Sequence, residues 1–296
     1  PCRAGPTRYR ARAGQRQLKT RGLESACAYD RAMTDTHLLD AVVALARQAG
    51  DAILAIYRED FTVTQKTDDS PVTAADLAAH HLILDGLTAL TPEIPVVSEE
   101  GVIPEPAVRA GWQRYWLVDP LDGTREFIAK NGEFTVNIAL VENGVVVLGV
   151  VLAPALDLLY AAAAGHGAWR EQAGQRSALR TRAWPAQPVL LLSRAHPDPE
   201  ATTRLSRLEP YDTMSVGSSL KYCRIAEGLA DAYPKFASIW FWDTAAAQCV
   251  LEQAGGAALS LLDFAPMRYA PDSSLRTPSF FATGDTTRDW RALLTP

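Results

Sequence analysis

The sequence predicts an α+β half packed on an α/β half, and three observations carry that reading. A 3.6-residue apolar period runs through Leu39, Val42, Val43, Ala46, Ala49, Ile53, Ile56 and Tyr57, the signature of an amphipathic helix. A valine-rich stretch with Asn143-Gly144 at its centre reads as antiparallel strands. Strand-like and helix-like segments then alternate through the second half. The chain has 296 residues, 48% of them apolar and 21% charged, which suits a folded enzyme of one large or two modest domains. Disordered, collagen-like and disulfide-scaffold classes are excluded.

Residues 1–32 begin with Pro, lack the apolar core of a signal peptide and show no sustained period, so they are expected to lie outside the fold as a non-native or disordered basic tail. Met33 is the expected natural start, with Thr34, Asp35 or Thr36 capping the first helix. Residues 145–165 carry Asp157 as their one charge, but Asn143-Gly144 and Pro154 punctuate them as strands of a meander begun by "GEFTVNIALV", and no transmembrane helix is expected. A strand is expected over 188–196, a helix over 218–230, an extended piece at "ADAYPKF", and a helix opened by Asp243 and closed by Gly255-Gly256. The two prolines of "TRAWPAQP" set the expected boundary between domains 33–184 and 185–296.

Eight basic side chains in residues 1–32 stand against Glu24 and Asp30, a net +6, so residues 33–296 carry −11 for the chain to total −5. An acidic body argues against nucleic acid as a partner, since backbone binding depends on cations neutralising phosphates. Cys2, Cys27, Cys223 and Cys249 form no C-x-x-C and sit at no zinc-ligand spacing, so they read as reduced, buried thiols.

The chemistry concentrates in "YWLVDPLDGTREF". Tyr115 to Val118 bring a strand to Asp119, and Pro120 and Gly123 are expected to stop it there. Asp119 and Asp122 then converge on a tight turn, and the Leu121 carbonyl adds a third hard oxygen suited to Mg²⁺. The Gly123 and Thr124 N–H groups would open a turn or helix able to hold phosphate. A plain surface turn is the alternative. Glu99 follows the apolar "IPVV", Asp243 stands at a helix start, and Asp76 follows Thr73 at capping-box spacing. Each also has a structural reading: a solvated acidic pair for Glu99 and Glu100, an N-cap for Asp243, and the third helical position of a cap for Asp76.

Taken together, "DPLDGT" with "SEE" upstream and "WDTAA" downstream resembles the lithium-sensitive inositol monophosphatase superfamily of magnesium-dependent phosphatases. "DGTREFI", "GEFTVNIALV", "GVVLAPALDLLY", "LSRAH", "VGSSLKYCRIAEGLADAYPKF" and "WDTAAAQCVLEQAGG" are similar to its CysQ-type 3′(2′),5′-bisphosphate nucleotidases over about residues 36–285. Arg125-Glu126-Phe127 stands where inositol monophosphatases have Thr-Asn-Phe, and Ala247 and Phe241 depart from the common pattern.

The resemblance implies a layered α-β-α-β-α sandwich of the inositol monophosphatase and fructose-1,6-bisphosphatase type. It also implies that Glu99, Asp119, the Leu121 carbonyl, Asp122 and Asp243 hold two Mg²⁺ ions, with Asp119 bridging and Asp76 assisting a third, weaker metal or water site. Thr124 and Glu99 would orient the water that attacks phosphorus in line with the leaving ribose oxygen. The substrate would be adenosine 3′,5′-bisphosphate, contacted by Glu99, Leu121, Asp122, Gly123, Thr124 and Asp243. Gly217, Ser218, Ser219 and Lys221 at a helix start would take its second phosphate, or form only a cap with a surface lysine. Arg194 and His196 are weaker candidates; His80 and His81 read as helix residues, and Trp112, Trp116, Trp240 and Trp242 as packing residues.

The expected products are AMP and phosphate, with phosphoadenylyl sulfate as a second substrate and a role in sulfate assimilation. An inositol or sugar phosphate phosphatase is the rival within the class, and a silent nucleotide-binding regulator the rival outside it. A cytoplasmic monomer or homodimer, with peripheral association at the inner membrane, completes the expectation.

Overall fold

The computed structural model describes residues 16–59, 63–65, 71–194, 204–208 and 210–294. Their elements begin with α1 (Arg16–Tyr57), β1 (Val63–Gln65), β2 (Pro71–Thr73), α2 (Ala74–Leu90), β3 (Val96–Ser98), α3 (Pro106–Arg109), β4 (Arg114–Asp122) and α4 (Thr124–Ile128). There follow β5 (Thr135–Glu142), β6 (Val145–Ala153), β7 (Leu158–Ala163), β8 (Ala168–Gln172), β9 (Gln175–Ala178), β10 (Val189–Ser193) and β11 (Asp212–Val216). The chain closes with α5 (Leu220–Ala226), β12 (Ala232–Lys235), α6 (Ala245–Gln253), β13 (Ala257–Ser260), β14 (Phe280–Thr283) and α7 (Trp290–Leu294). Two compact units comprise Pro1–Leu38 and Leu39–Pro296, and the described sheets, a two-stranded β1-β2 pair and two larger ones, lie in the second.

The first helix departs from expectation. It starts at Arg16, upstream of the caps read at Thr34, Asp35 and Thr36, and runs unbroken through Met33. Capping residues inside a run of helix formers do not have to end it, because Ser, Thr and Asp cost only a few tenths of a kcal/mol each, about 0.7 at most, in a helix interior.

The valine-rich stretch builds a seven-stranded sheet ordered β3 to β9, with β3 parallel to β4 and an antiparallel meander thereafter. Asn143 and Gly144 take φ of 51° and 75°, the left-handed pair that a two-residue hairpin turn needs between β5 and β6. The run that could be mistaken for a membrane span is β6, a turn at Pro154–Leu156 and β7. Among the described residues no helix is long and apolar enough to cross a membrane.

Pro120 does not stop its strand. β4 continues to Asp122, with Asp119 opposite Asn137, Asp122 opposite Thr135, and a register shift between them. The irregularity places one extra residue on β4, and a proline, having no N–H to offer, fits where the ladder is already broken.

The second sheet has five strands ordered β11-β10-β12-β14-β13, parallel in its β10 pairings and antiparallel at β14. α6 lies against β5, β6 and β7 of one sheet and β13 of the other, beside α5. A Cβ at Gly149 would stand 2.3 Å from the Ala246 carbonyl oxygen, so a glycine is what lets β6 approach α6 this closely. Val151 and Ala153 join the cluster that includes the α6 residues Ala246 and Val250, while Leu152 between them meets Gly50 of α1. That alternation puts α1 and α6 on opposite faces of the sheet. Leu205, Leu208 and Trp290 cover Leu190, Ala232 and Phe281 of the second sheet, which gives the helix-sheet-helix-sheet-helix layering.

Candidate active site

The parallel pairing of β3 with β4 brings their C-terminal ends to one edge. Glu99, the residue after β3, donates its N–H to the Val118 carbonyl at 3.1 Å, next to Asp119 on β4. Asp243 arrives from the turn before α6. One carboxylate oxygen from each of Glu99, Asp119 and Asp243 lies within 4.8 Å of the others.

Burial first, then Glu99, Asp122 and Asp243, hold the buried Asp119 carboxyl well above the usual carboxylate range. Burial, Asp122 and Glu99 do the same to Asp243. Acids crowded in this way keep their charges together only when a cation neutralises them, and their hard oxygens suit a divalent metal ion.

Asp243 does not cap α6. Thr244 holds the cap position without a side-chain cap bond, and Asp243 Oδ2 instead accepts the Trp240 N–H at 3.1 Å. The carboxylate is thereby fixed to its own turn. Leu121 is buried, and its N–H donates to Asp119 Oδ1 at 3.0 Å, a lock made possible by the irregular end of β4.

Asp122, expected among the ligands, is not one of the three carboxylates that meet within 4.8 Å, though its charge acts on both Asp119 and Asp243. Its Oδ2 accepts the Ser219 N–H at 2.6 Å, with Asn137 Nδ2 at 3.4 Å and Thr135 Oγ1 at 3.5 Å. Burial pushes its pKa up to about 6 against the pull of Lys221 and the Ser219 N–H. Gly123 takes φ 89°, a left-handed turn that favours glycine, and Thr124 opens α4 directly after it. Thr124 Oγ1 donates to Asp76 Oδ1 at 3.4 Å, while Asp76 Oδ2 accepts from the Thr73 N–H and hydroxyl at 2.8 and 2.7 Å. The two oxygens of Asp76 thus serve different partners.

In the loop read as a phosphate cradle, two N–H groups have protein partners. Gly217 N–H donates to Glu133 Oε2 at 2.7 Å, and Ser219 N–H is taken by Asp122. Ser218 between them has φ 47°, a left-handed conformation costly for a side chain outside glycine. Lys221 is no surface lysine: it is buried, with Nζ donating to the Ser218 carbonyl at 2.5 Å and lying 3.3 Å from that of Val216. Burial pulls its pKa down to about 8, opposed by Asp122.

Sequence reasoning passed over Glu133 and Glu126. Glu133 braces the same loop and pairs with Arg194 at 2.9 Å, and Glu126 is buried, its Cγ 2.7 Å from where a Cβ on Gly217 would stand. For Glu126 the one signal was the departure at Arg125-Glu126-Phe127. His196 lies outside the described residues. His80 is a buried α2 residue with Nδ1 2.9 Å from Ser98 Oγ, and Trp116 packs, donating Nε1–H to Thr91 Oγ1 at 2.9 Å.

The model of the inositol monophosphatase family matches residues 35–265. The chain belongs to that family. It is 50% identical over 246 residues to the 3′(2′),5′-bisphosphate nucleotidase CysQ of Escherichia coli K12, covering 82% of this chain and 98% of that protein. The Salmonella typhimurium protein of the same name is 51% identical over 249 residues, covering 83% and 99%. The crystal structure of CysQ from Bacteroides thetaiotaomicron, a bacterial family member, superposes with a TM-score of 0.73 at 36% identity, over 86% of this chain and 98% of that one.

Proposed function

We propose that this family member hydrolyses adenosine 3′,5′-bisphosphate to AMP and phosphate with Mg²⁺ as its cofactor. The observation that carries the reading is the meeting of Glu99, Asp119 and Asp243 within 4.8 Å, beside the hydrogen-bonded Thr124 and Asp76. The nucleotidase relatives at about half identity support the choice of substrate.

Glu99, Asp119, Asp243, the Leu121 carbonyl and Asp122 would hold two Mg²⁺ ions, and Asp76 would border a third, weaker site. Bound Mg²⁺ supplies the positive charge that admits a phosphate dianion to an acidic site and stabilises charge developing on its oxygens. Thr124 Oγ1, its proton held toward Asp76, is an acceptor for the attacking water, and Glu99 orients that water from the other side. The Gly123 and Thr124 N–H groups orient the phosphate. Gly217, Ser218 and Ser219 would border the second phosphate, and Lys221 acts by holding the Ser218 and Val216 carbonyls.

Phosphoadenylyl sulfate as a second substrate, service to sulfate assimilation and a cytoplasmic site of action, with peripheral contact to the inner membrane, extend the same proposal. Phosphate release measured side by side from the bisphosphate, inositol 1-phosphate and fructose 1,6-bisphosphate tests it. The expected result is the largest kcat/KM on the bisphosphate, and an equal or larger value on inositol 1-phosphate overturns the reading.

A further inference from the structure

We propose that the outer face of the Arg276 guanidinium is the platform on which the substrate's purine stacks, which makes Arg276 a specificity-determining residue; this rests on the nucleotidase reading above. The segments around Trp240 and Arg276 lie side by side. Thr277 N–H donates to the Ile239 carbonyl and Phe241 N–H to that of Leu275, both at 2.8 Å, and Trp240 and Arg276 face each other as an antiparallel bridge.

Their side chains form a column. The Trp240 and Trp242 rings stack with centroids 4.8 Å apart and planes 13° from parallel. Arg276 Cζ lies 3.9 Å over the Trp240 ring. Trp242 is buried, Trp240 half-buried and Arg276 exposed, so the guanidinium is the end of the column that meets solvent. The column also adjoins the carboxylates, because Trp242 precedes Asp243 and the Trp240 N–H donates to Asp243 Oδ2 at 3.1 Å.

Among the described residues Arg276 forms no close ion pair, although its charge acts on Asp243. Arg170, Arg176, Arg182 and Arg194 all pair with carboxylates at 2.6 to 2.9 Å. Among the described residues Arg276 makes only a long bond from Nη1 to the Ser238 carbonyl, 3.4 Å, besides its stack. An exposed arginine held by aromatic stacking, with no close ion pair across its planes, keeps one planar face open. Guanidinium planes stack on aromatic rings and nucleobases alike. An anion would take the N–H edge of the group, of which Nη1 alone is directed to Ser238, whereas a base takes the open face, and the two modes respond differently in the test below. A nucleoside whose 3′-phosphate lies at Asp243 carries its base about one ribose away, a reach that the column beginning beside Asp243 can meet.

The test compares kcat/KM of the wild type and Arg276→Met, which keeps the length of the side chain and loses the planar cation. The substrates are adenosine 3′,5′-bisphosphate, adenosine 3′-phosphate and an abasic 1-deoxyribose 3,5-bisphosphate, and AMP binding is followed by quenching of tryptophan fluorescence. Stacking predicts that the preference for each adenosine compound over the abasic one falls about tenfold, with AMP quenching weakened to match. A loss shared equally by the two bisphosphates makes Arg276 an anion contact and overturns the proposal. Unchanged values on all three do so as well. A wild-type enzyme that does not prefer the adenosine bisphosphate to the abasic one overturns the nucleotidase reading instead.

Discussion

Thr124 Oγ1 stands 3.4 Å from Asp76 Oδ1, and the other oxygen of the same carboxylate closes the N-terminal cap of α2 through Thr73. A capping box fixes the rotamer of its acid, because that acid must reach back to the cap residue's N–H. Here the constraint leaves Oδ1 pointing at Thr124 on the turn after β4. The bond that starts a helix therefore also aims a carboxylate into the candidate site.

Two substitutions separate these roles. Thr124→Val removes the hydroxyl from the surface of a short helix, so kcat should fall about a hundredfold or more while the melting temperature stays put. Asp76→Asn should lower both kcat and stability, the latter by about 1 kcal/mol, as lost caps do. Steady-state kinetics and thermal melts decide the matter: a fully active valine variant removes Thr124 from the chemistry.

Metal dependence can be read without turnover. Burial and three neighbouring acids act on Asp119, so Asp119→Asn should raise the melting temperature in chelator while abolishing phosphate release. Adding Mg²⁺ should stabilise the wild type by mass action and the variant far less. Equal stabilisation of both proteins by Mg²⁺ would remove Asp119 from the metal site.

The motif residues were legible because their constraint is local: Asp119 stands near the end of β4, and Gly123 and Thr124 on the turn that follows it, within six residues of chain. The meander was legible for the same reason, from Asn143-Gly144 and the valine run. Contacts between distant segments left no such mark. Nothing adjacent to Gly217 announces that its N–H meets Glu133, or that Asp122 Oδ2 accepts the Ser219 N–H. Lys221 looked exposed because a lysine in a helix first turn normally is. Only the folded loop shows that its ammonium is enclosed by backbone carbonyls.

That enclosure changes what Lys221→Met should do. With Nζ bonded to the Ser218 carbonyl and near that of Val216, the lysine holds the loop that carries the left-handed Ser218. The loss of kcat/KM should therefore fall to a similar degree on adenosine 3′,5′-bisphosphate and adenosine 3′-phosphate, together with a lower melting temperature. A loss confined to the bisphosphate would show that the ammonium turns outward to a second phosphate.

Glu252 supplies a pH-dependent prediction away from the site. It lies at the end of α6, where burial raises its pKa, opposed by a 2.8 Å bond from Gln248 Nε2 and by Arg268. A carboxyl raised by burial is easier to protonate in the folded chain than in the unfolded one. Its ionisation therefore costs stability once pH rises through the folded value, and the cost vanishes below the unfolded value of about 4.3. Glu252→Gln keeps an acceptor for Gln248 and carries no charge. The variant should melt higher than the wild type at neutral pH, and the difference should shrink as pH falls through the range between the two values. Melting curves taken across that range check it, and a gap that widens toward acid would mean that Arg268, rather than burial, sets the charge of this group.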